Sequence, residues 1–291
     1  MIKYVDPGTY LFRFMDHRSE FFWNAIADIL SEQKLFLNSR TNFNDPFDSQ
    51  PVLKDDVKHS DIRRYFERMK RDPLHPNRHP LTSVQLLNLM ATGKFELRRD
   101  QVRNVKEGQR RNAIRYLDQG GLLSFSLTAE NPLLWGHYAA SSAGICVVFK
   151  RNASRQSALS LCAKVSYVEE RPVFPISLYF RLIEGGNADG TKAIAEKIFS
   201  LSYLHKDIHW KHEQEARIFF PFRAFQKIKF DRDELIGIIL GPTCSAELEA
   251  KLKAEVKSRQ PSVSLHKATL SQTKFKIVIP HNFSAPRSMA A

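Results

Sequence analysis

The sequence predicts an α+β domain built on a central, mostly antiparallel sheet. Three observations lead there. Candidate strands are grouped, a long charged helical stretch interrupts them, and no regular alternation of strand and helix occurs. One domain over residues 1–284 is expected, with a basic helical insertion at about 56–118 and a flexible tail at 285–291.

The elements follow in order. Tyr10-Leu11-Phe12-Arg13-Phe14 is short, aromatic and β-prone. Phe22, Ala25, Ile26, Ile29 and Leu30 recur near helical spacing, which predicts a helix from Glu20 to Gln33 with Ser19 as a candidate N-cap. Lys34 to Asn38 reads as a second strand, and Thr41 to Asp48 as a loop rich in turn formers. Residues 56–118 read as charged helix, broken by the three prolines between Asp72 and Pro80, which one helix cannot contain. Gly121 to Leu127 alternates as a half-buried strand does, and Asn131 to Ala139 reads as a turn and short helix. Gly144 to Phe149 is an unbroken apolar run, as in a strand covered on both faces. Strands are expected at 163–168, 215–220, 235–240 and 274–279, and helices at 190–206 and 245–260.

Length and composition suit a packed core: 291 residues, 43% hydrophobic. No apolar run is long enough for a membrane span, and the first residues lack an apolar signal core. Cys146, Cys162 and Cys244 are odd in number and widely spaced, which suggests reduced thiols and a cytoplasmic setting without a metal. The net charge of +13 favours polyanionic partners. Much of the excess lies in one third of the chain, from Arg63 to Arg115, where it fits either a solvated helix surface or a nucleic-acid contact. P-loop, dinucleotide-fold and serine-elbow motifs are absent.

Four segments resemble the bacterial domain-of-unknown-function 2971 family. They are Tyr10–Phe14; Phe36–Ser39 leading to Phe43–Asp48; Leu123–Ser126 running into Leu134–Ala139 and Gly144–Phe149; and the string Lys206, Trp210, Glu213, Glu215, Arg217. More remotely, the layout is similar to the ADP-ribosyltransferase fold. That resemblance implies an early strand carrying a basic residue (Arg13), a middle strand carrying a serine (Ser124 or Ser126) with Tyr138, and a late strand carrying the catalytic glutamate, Glu215 or Glu213. The histidine that leads the first motif of the diphtheria-toxin-like branch is absent here. The activity implied is transfer of ADP-ribose from NAD to a macromolecule, in a toxin or anti-phage setting.

The residue chemistry fits that activity. Loss of nicotinamide leaves positive charge on the ribose, which a fixed carboxylate can stabilise. By strand alternation Glu213, Glu215 and Arg217 would share a face, with Arg217 holding either Glu215 or a phosphate. Tyr10 and Arg13 are expected beside the cofactor, Arg13 as a pyrophosphate cation. Asn44 and Asp45 would meet ribose hydroxyls or simply make the turn before Pro46. Trp135, His137 and Tyr138 would stack on a ring, Trp135 fitting the core as well. The alternative is a non-enzymatic module that uses the basic helical block to bind nucleic acid or an acidic protein.

Overall fold

The computed structural model describes residues 2–62, 64, 92, 99–152, 157–184, 188–279 and 283. The proline-rich break at Asp72–Pro80, several of the clustered arginines and the tail at 285–291 lie outside the described residues. The chain forms two compact units, residues 1–49, 119–170 and 203–291 in the first and 50–118 and 171–202 in the second.

The first unit carries a seven-stranded, mostly antiparallel sheet. Its strands are β1 (Tyr10–Met15), β2 (Gly121–Ser126), β3 (Ile145–Lys150), β4 (Ala163–Lys164), β5 (Glu215–Phe220), β6 (Leu235–Leu240) and β7 (Ser264–Lys267). The spatial order is β7-β6-β3-β1-β2-β5-β4, and only β6 and β7 run parallel. β3 is an interior strand and apolar on both sides, as its sequence predicts: Ile145, Val147 and Phe149 join one core with Leu11, Phe125, Ile218 and Ile238. Cys146 and Val148 join the other, with Phe12, Trp135 and Ile239. Burial of these side chains from both faces is the main stabilising term of the unit.

The pairing is uneven. β1 pairs with β3 along its whole length, from Tyr10–Lys150 to Met15–Ile145. β2 pairs with β5 just as fully, from Glu215–Ser126 to Phe220–Gly121. Between β1 and β2 the one ladder pair is Phe12–Ser126. At the far end of β2, Leu122 bonds Asn38 instead of β1. The sheet is therefore open between β1 and β2.

The helices are divided between the two units. α1 (Phe22–Ala27) continues into a π turn at Asp28–Glu32 and stops at Gln33, whose φ of 49° is left-handed. The helix expected through Gln33 is thus two short pieces, with Phe22, Ile26, Ile29 and Leu30 still facing inward. α2 (Arg99–Asp118), α4 (Ile176–Glu184) and most of α5 (Ala188–Tyr203) belong to the second unit. There Val52–Lys54 pairs with Val173–Pro175, and Val57, Ile62, Val102, Ile176 and Phe180 form a small core. Asp56 accepts hydrogen bonds from the Ser177 backbone N–H (2.9 Å) and hydroxyl (2.6 Å) at the start of α4. α3 (Pro132–Tyr138) starts at Asn131, whose side chain accepts from the Leu133 N–H. α6 (Ala246–Arg259) starts at Ser245, whose hydroxyl accepts from the Leu248 N–H, and buries Leu248, Leu252 and Val256.

Three further elements depart from the sequence reading. The helix expected over 190–206 ends at Tyr203, and Lys206 sits in a short strand, His205–Asp207, paired with Ser166–Val168. The last strand shrinks to Ile277–Val278, because Ser271 bonds the backbone of Thr273 and Lys274 and turns the chain. Ser264–Lys267 is a strand although SLHK has no apolar run, since one neighbour, β6, supplies its pairing. Among the described residues, no helix is long and apolar enough to cross a membrane.

Candidate functional site

The opening between β1 and β2 is a cavity of about 440 Å³, within the size range of small-ligand sites. Arg13, Asn44, Ser124, Ser126, His137, Tyr138, Glu213 and Glu215 line it, together with Phe12, Phe14, Asn38, Phe43, Asp48 and Lys206. Tyr10, Asp45, Trp135 and Arg217 do not line it. Tyr10 stacks on Phe12, and Lys150 lies over its ring. Asp45 makes a turn, its carboxylate accepting from the Phe47 N–H at 2.9 Å. Trp135 is fully buried and donates its indole N–H to the Ala129 carbonyl at 2.7 Å, so it is a core residue.

Arg217 is the anchor of the site. It is 0% exposed, and alternation on β5 places it on the same side as Glu215. Its Nε and Nη2 donate to Glu215 (2.8 and 2.7 Å), and Nη1 and Nη2 donate to Asp48 (2.7 and 2.6 Å). Nη1 also meets the Ser49 hydroxyl and the Tyr203 carbonyl, both at 2.9 Å. A guanidinium has five N–H donors. All are engaged within the protein, so Arg217 holds Glu215 and has nothing left for a phosphate.

Lys206 is the second hub. Its ammonium bonds Glu213, lies 3.2 Å from Glu215 and 3.5 Å from Asp48, and sits over the Trp210 ring. Burial works against its charged form, but Glu215 and Asp48 outweigh it and hold the pKa above the ordinary lysine range. For Glu215, burial likewise opposes ionisation, while Arg217 and Lys206 prevail and pull the carboxyl down to about 2.

Glu213 reaches the same place by another route. It ends a 3-10 turn, Ile208–Glu213, and Gln214 then takes a left-handed φ of 45° before β5 begins. Strand alternation, the expected cause, does not extend to it. Ser126 fixes this turn by donating its hydroxyl to the Glu213 carbonyl (2.7 Å), and Asn131 donates to the His212 carbonyl (2.8 Å). The Glu213 carboxylate accepts from the Tyr138 hydroxyl at 2.6 Å. Burial and that bond raise the Tyr138 pKa, so the phenol stays a neutral donor.

Arg13 stands across the opening. Its Nη1 donates to the Ser124 carbonyl (2.9 Å), a backbone group beyond the last ladder pair of β1 and β2. It is half-buried and forms no ion pair with a carboxylate among the described residues. Burial lowers its pKa and the field of Glu215 raises it. With Arg13 counted, three cations face three carboxylates, Asp48, Glu213 and Glu215.

Two of these groups escaped sequence reasoning as site residues. Lys206 was visible as part of the lysine–tryptophan–acid–acid–arginine string, and Asp48 as the end of the turn-rich loop. Residues 134–218 match the model of a family described as "Protein of unknown function (DUF2971)". The match takes in His137, Tyr138, Lys206, Trp210, Glu213, Glu215 and Arg217, and leaves Arg13, Asp48, Ser124 and Ser126 outside. No curated protein and no solved structure matches the chain.

Proposed function

We propose that this protein binds NAD in the opening between β1 and β2 and transfers its ADP-ribosyl group to a macromolecule. One observation carries the reading: a guanidinium without a carboxylate partner, Arg13, faces the carboxylates of Glu213 and Glu215 across a single cavity. NAD needs both, a cation for its pyrophosphate and negative charge beside the ribose that loses nicotinamide. Buried charge networks contribute little net stability, which favours a use for this one beyond folding.

The bond from ribose C1′ to the nicotinamide nitrogen breaks, and its electron pair leaves with nicotinamide. Positive charge spreads over the ribose, and a lone pair of the acceptor closes on C1′ while the acceptor's proton passes to solvent. Glu215, fixed by Arg217 and Lys206, supplies a carboxylate already oriented toward the cavity, which needs no reorganisation. Glu213 is the carboxylate that meets the ribose hydroxyls, because Lys206 holds one of its oxygens while the other is met by the neutral Tyr138 hydroxyl. Arg13 takes the pyrophosphate with its remaining donors. Incubation with NAD labelled in the nicotinamide ring, with and without cell lysate, tests this. Release is expected from the intact protein and is lost in Glu213→Gln and Glu215→Gln. No release from folded protein under any acceptor condition rejects the reading.

A second reading has its own support. Arg103, Arg110, Arg111 and Arg115 on α2 are exposed, with Glu107 the one acid among them, a surface suited to a polyanion. Under it, nucleic-acid binding is steeply salt-dependent and indifferent to Glu213→Gln.

A further inference from the structure

An acceptor whose attacking atom carries a proton must lose it as the bond to C1′ forms, and a free base in the site speeds that loss. Most of the ionisable groups lining the cavity are already committed. Asp48 and Glu215 each accept from Arg217 through both carboxylate oxygens. Glu213 has one oxygen on the Lys206 ammonium and the other on the Tyr138 hydroxyl. Burial opposes the charge on Glu215, yet Arg217 and Lys206 pull the carboxyl down to about 2, which makes it a poor base near neutrality. Lys206 is held protonated by Glu215 and Asp48 against the effect of burial, and Tyr138 is kept a neutral donor by burial and Glu213. Arg13 is a guanidinium and keeps its protons. None of these can take a proton from an incoming nucleophile.

His137 is the exception. It lines the same cavity, is exposed, and makes no hydrogen bond or ion pair among the described residues; its ring contact is with Tyr138, centroids 6.1 Å apart. The helix that carries it is well anchored. Asn131 caps α3 and donates to the His212 carbonyl, while Leu134 and Trp135 are buried and Trp135 bonds the Ala129 carbonyl. The approach is open, since a Cβ on Gly136 would meet no atom within 4 Å. A large acceptor can therefore reach the imidazole from the solvent side. The charged and titratable groups that share the cavity with it are Arg13 on β1, Asp48 in the turn-rich loop, Lys206, Glu213, Glu215 on β5 and its neighbour Tyr138. Imidazole is the side chain suited to exchanging a proton between about pH 5 and 8.

We propose that His137 is the general base of this site, and that the acceptor it serves is a hydroxyl or N–H nucleophile rather than a carboxylate or a phosphate. This assignment rests on the ADP-ribosyl transfer proposed above. The acceptor's lone pair forms the bond to C1′, and the electron pair of the broken bond leaves with nicotinamide. The acceptor's proton moves to an imidazole nitrogen, and the exposed ring passes it on to water. An ionised carboxylate or phosphate oxygen attacks without losing a proton and has no use for such a group.

The test uses the full chain, cell lysate and NAD labelled at its adenylate phosphate, with label transfer and nicotinamide release read in parallel. His137→Gln is expected to slow transfer about a hundredfold. Its melting temperature and its NAD affinity by calorimetric titration are expected to hold, because no hydrogen bond is lost. Transfer by the natural chain should fall as the pH drops from about 8 to about 5, and His137→Gln should lack that fall. Added imidazole, entering by the open side, should restore part of the variant's activity. Mass spectrometry of the labelled product should find ADP-ribose on an oxygen or nitrogen that carried a proton. Transfer at the natural rate in His137→Gln overturns the proposal. So does a loss that imidazole leaves unrepaired and that keeps the natural pH profile, or a lowered melting temperature, either of which assigns His137 a structural role. Attachment to a carboxylate or phosphate overturns the acceptor class. If the natural chain releases no nicotinamide, the transferase reading falls and takes this one with it; if it does release and His137→Gln matches it, the base alone falls.

Discussion

The two halves of the sheet are joined to their neighbours in the same way and filled in opposite ways. On one side β3 and β6 bury apolar residues on both faces. On the other, β2 and β5 present Ser124, Ser126 and Glu215 to a cavity lined by three carboxylates, with Arg217 buried behind Glu215. Between them is a ladder of one pair, Phe12–Ser126. The contrast teaches that β2 and β5 bury apolar residues on one face only and carry on the other a charge network that adds little net stability while paired but costs much when one partner is removed. Each half should therefore fail in its own manner.

The largest effect is expected from Arg217→Ala. It leaves Asp48 and Glu215 beside Lys206 but without the guanidinium that binds both, and urea unfolding should show a loss of about 4 kcal/mol. An equal or smaller loss than that of an aliphatic truncation would break the comparison. Next comes pH. The folded pKa of Glu215 lies below its unfolded value, so its contribution is present above the unfolded pKa and is lost as pH falls through the folded one, from roughly pH 4 toward 2. Lys206 has the opposite sign: its raised pKa contributes below the ordinary lysine range and is lost at higher pH. Stability measured against pH should fall at the acid end, and Glu215→Gln should flatten that limb. On the apolar half, Ile239→Val should cost about 1 kcal/mol at every pH, since no titrating group is involved. The smallest effect on stability is expected at Arg13. Arg13→Met should change it by less than about 1 kcal/mol, because one hydrogen bond is lost and no carboxylate is left unpaired. Calorimetric titration should nonetheless find NAD affinity reduced at least tenfold, which would separate a binding residue from a structural one.

Most of the sheet was legible because the pattern of β3, β5 and β6 is local: apolar runs or alternation within six residues. The pairing of Glu215 with Arg217 was legible for the same reason, two residues apart on one strand. Asp48 was not, since the partner that defines it lies 169 residues away and its neighbours read as turn formers. A buried arginine already holding one carboxylate still has donors to fill, and that demand is the signal that points to a second acid. Glu213 lay in the right place for a reason alternation does not contain, the left-handed residue Gln214. The opening between β1 and β2 had no signature at all, because a strand's sequence does not record which of its edges is left unpaired.

The cysteines have a practical consequence. Cys146, Cys162 and Cys244 are all buried, and burial raises the pKa of each thiol, so little thiolate forms near neutrality. Alkylating dyes and mild oxidants should pass the natural chain by. A single cysteine placed at an exposed position could then carry a spectroscopic label on an otherwise unaltered background, with no need to build a thiol-free variant first.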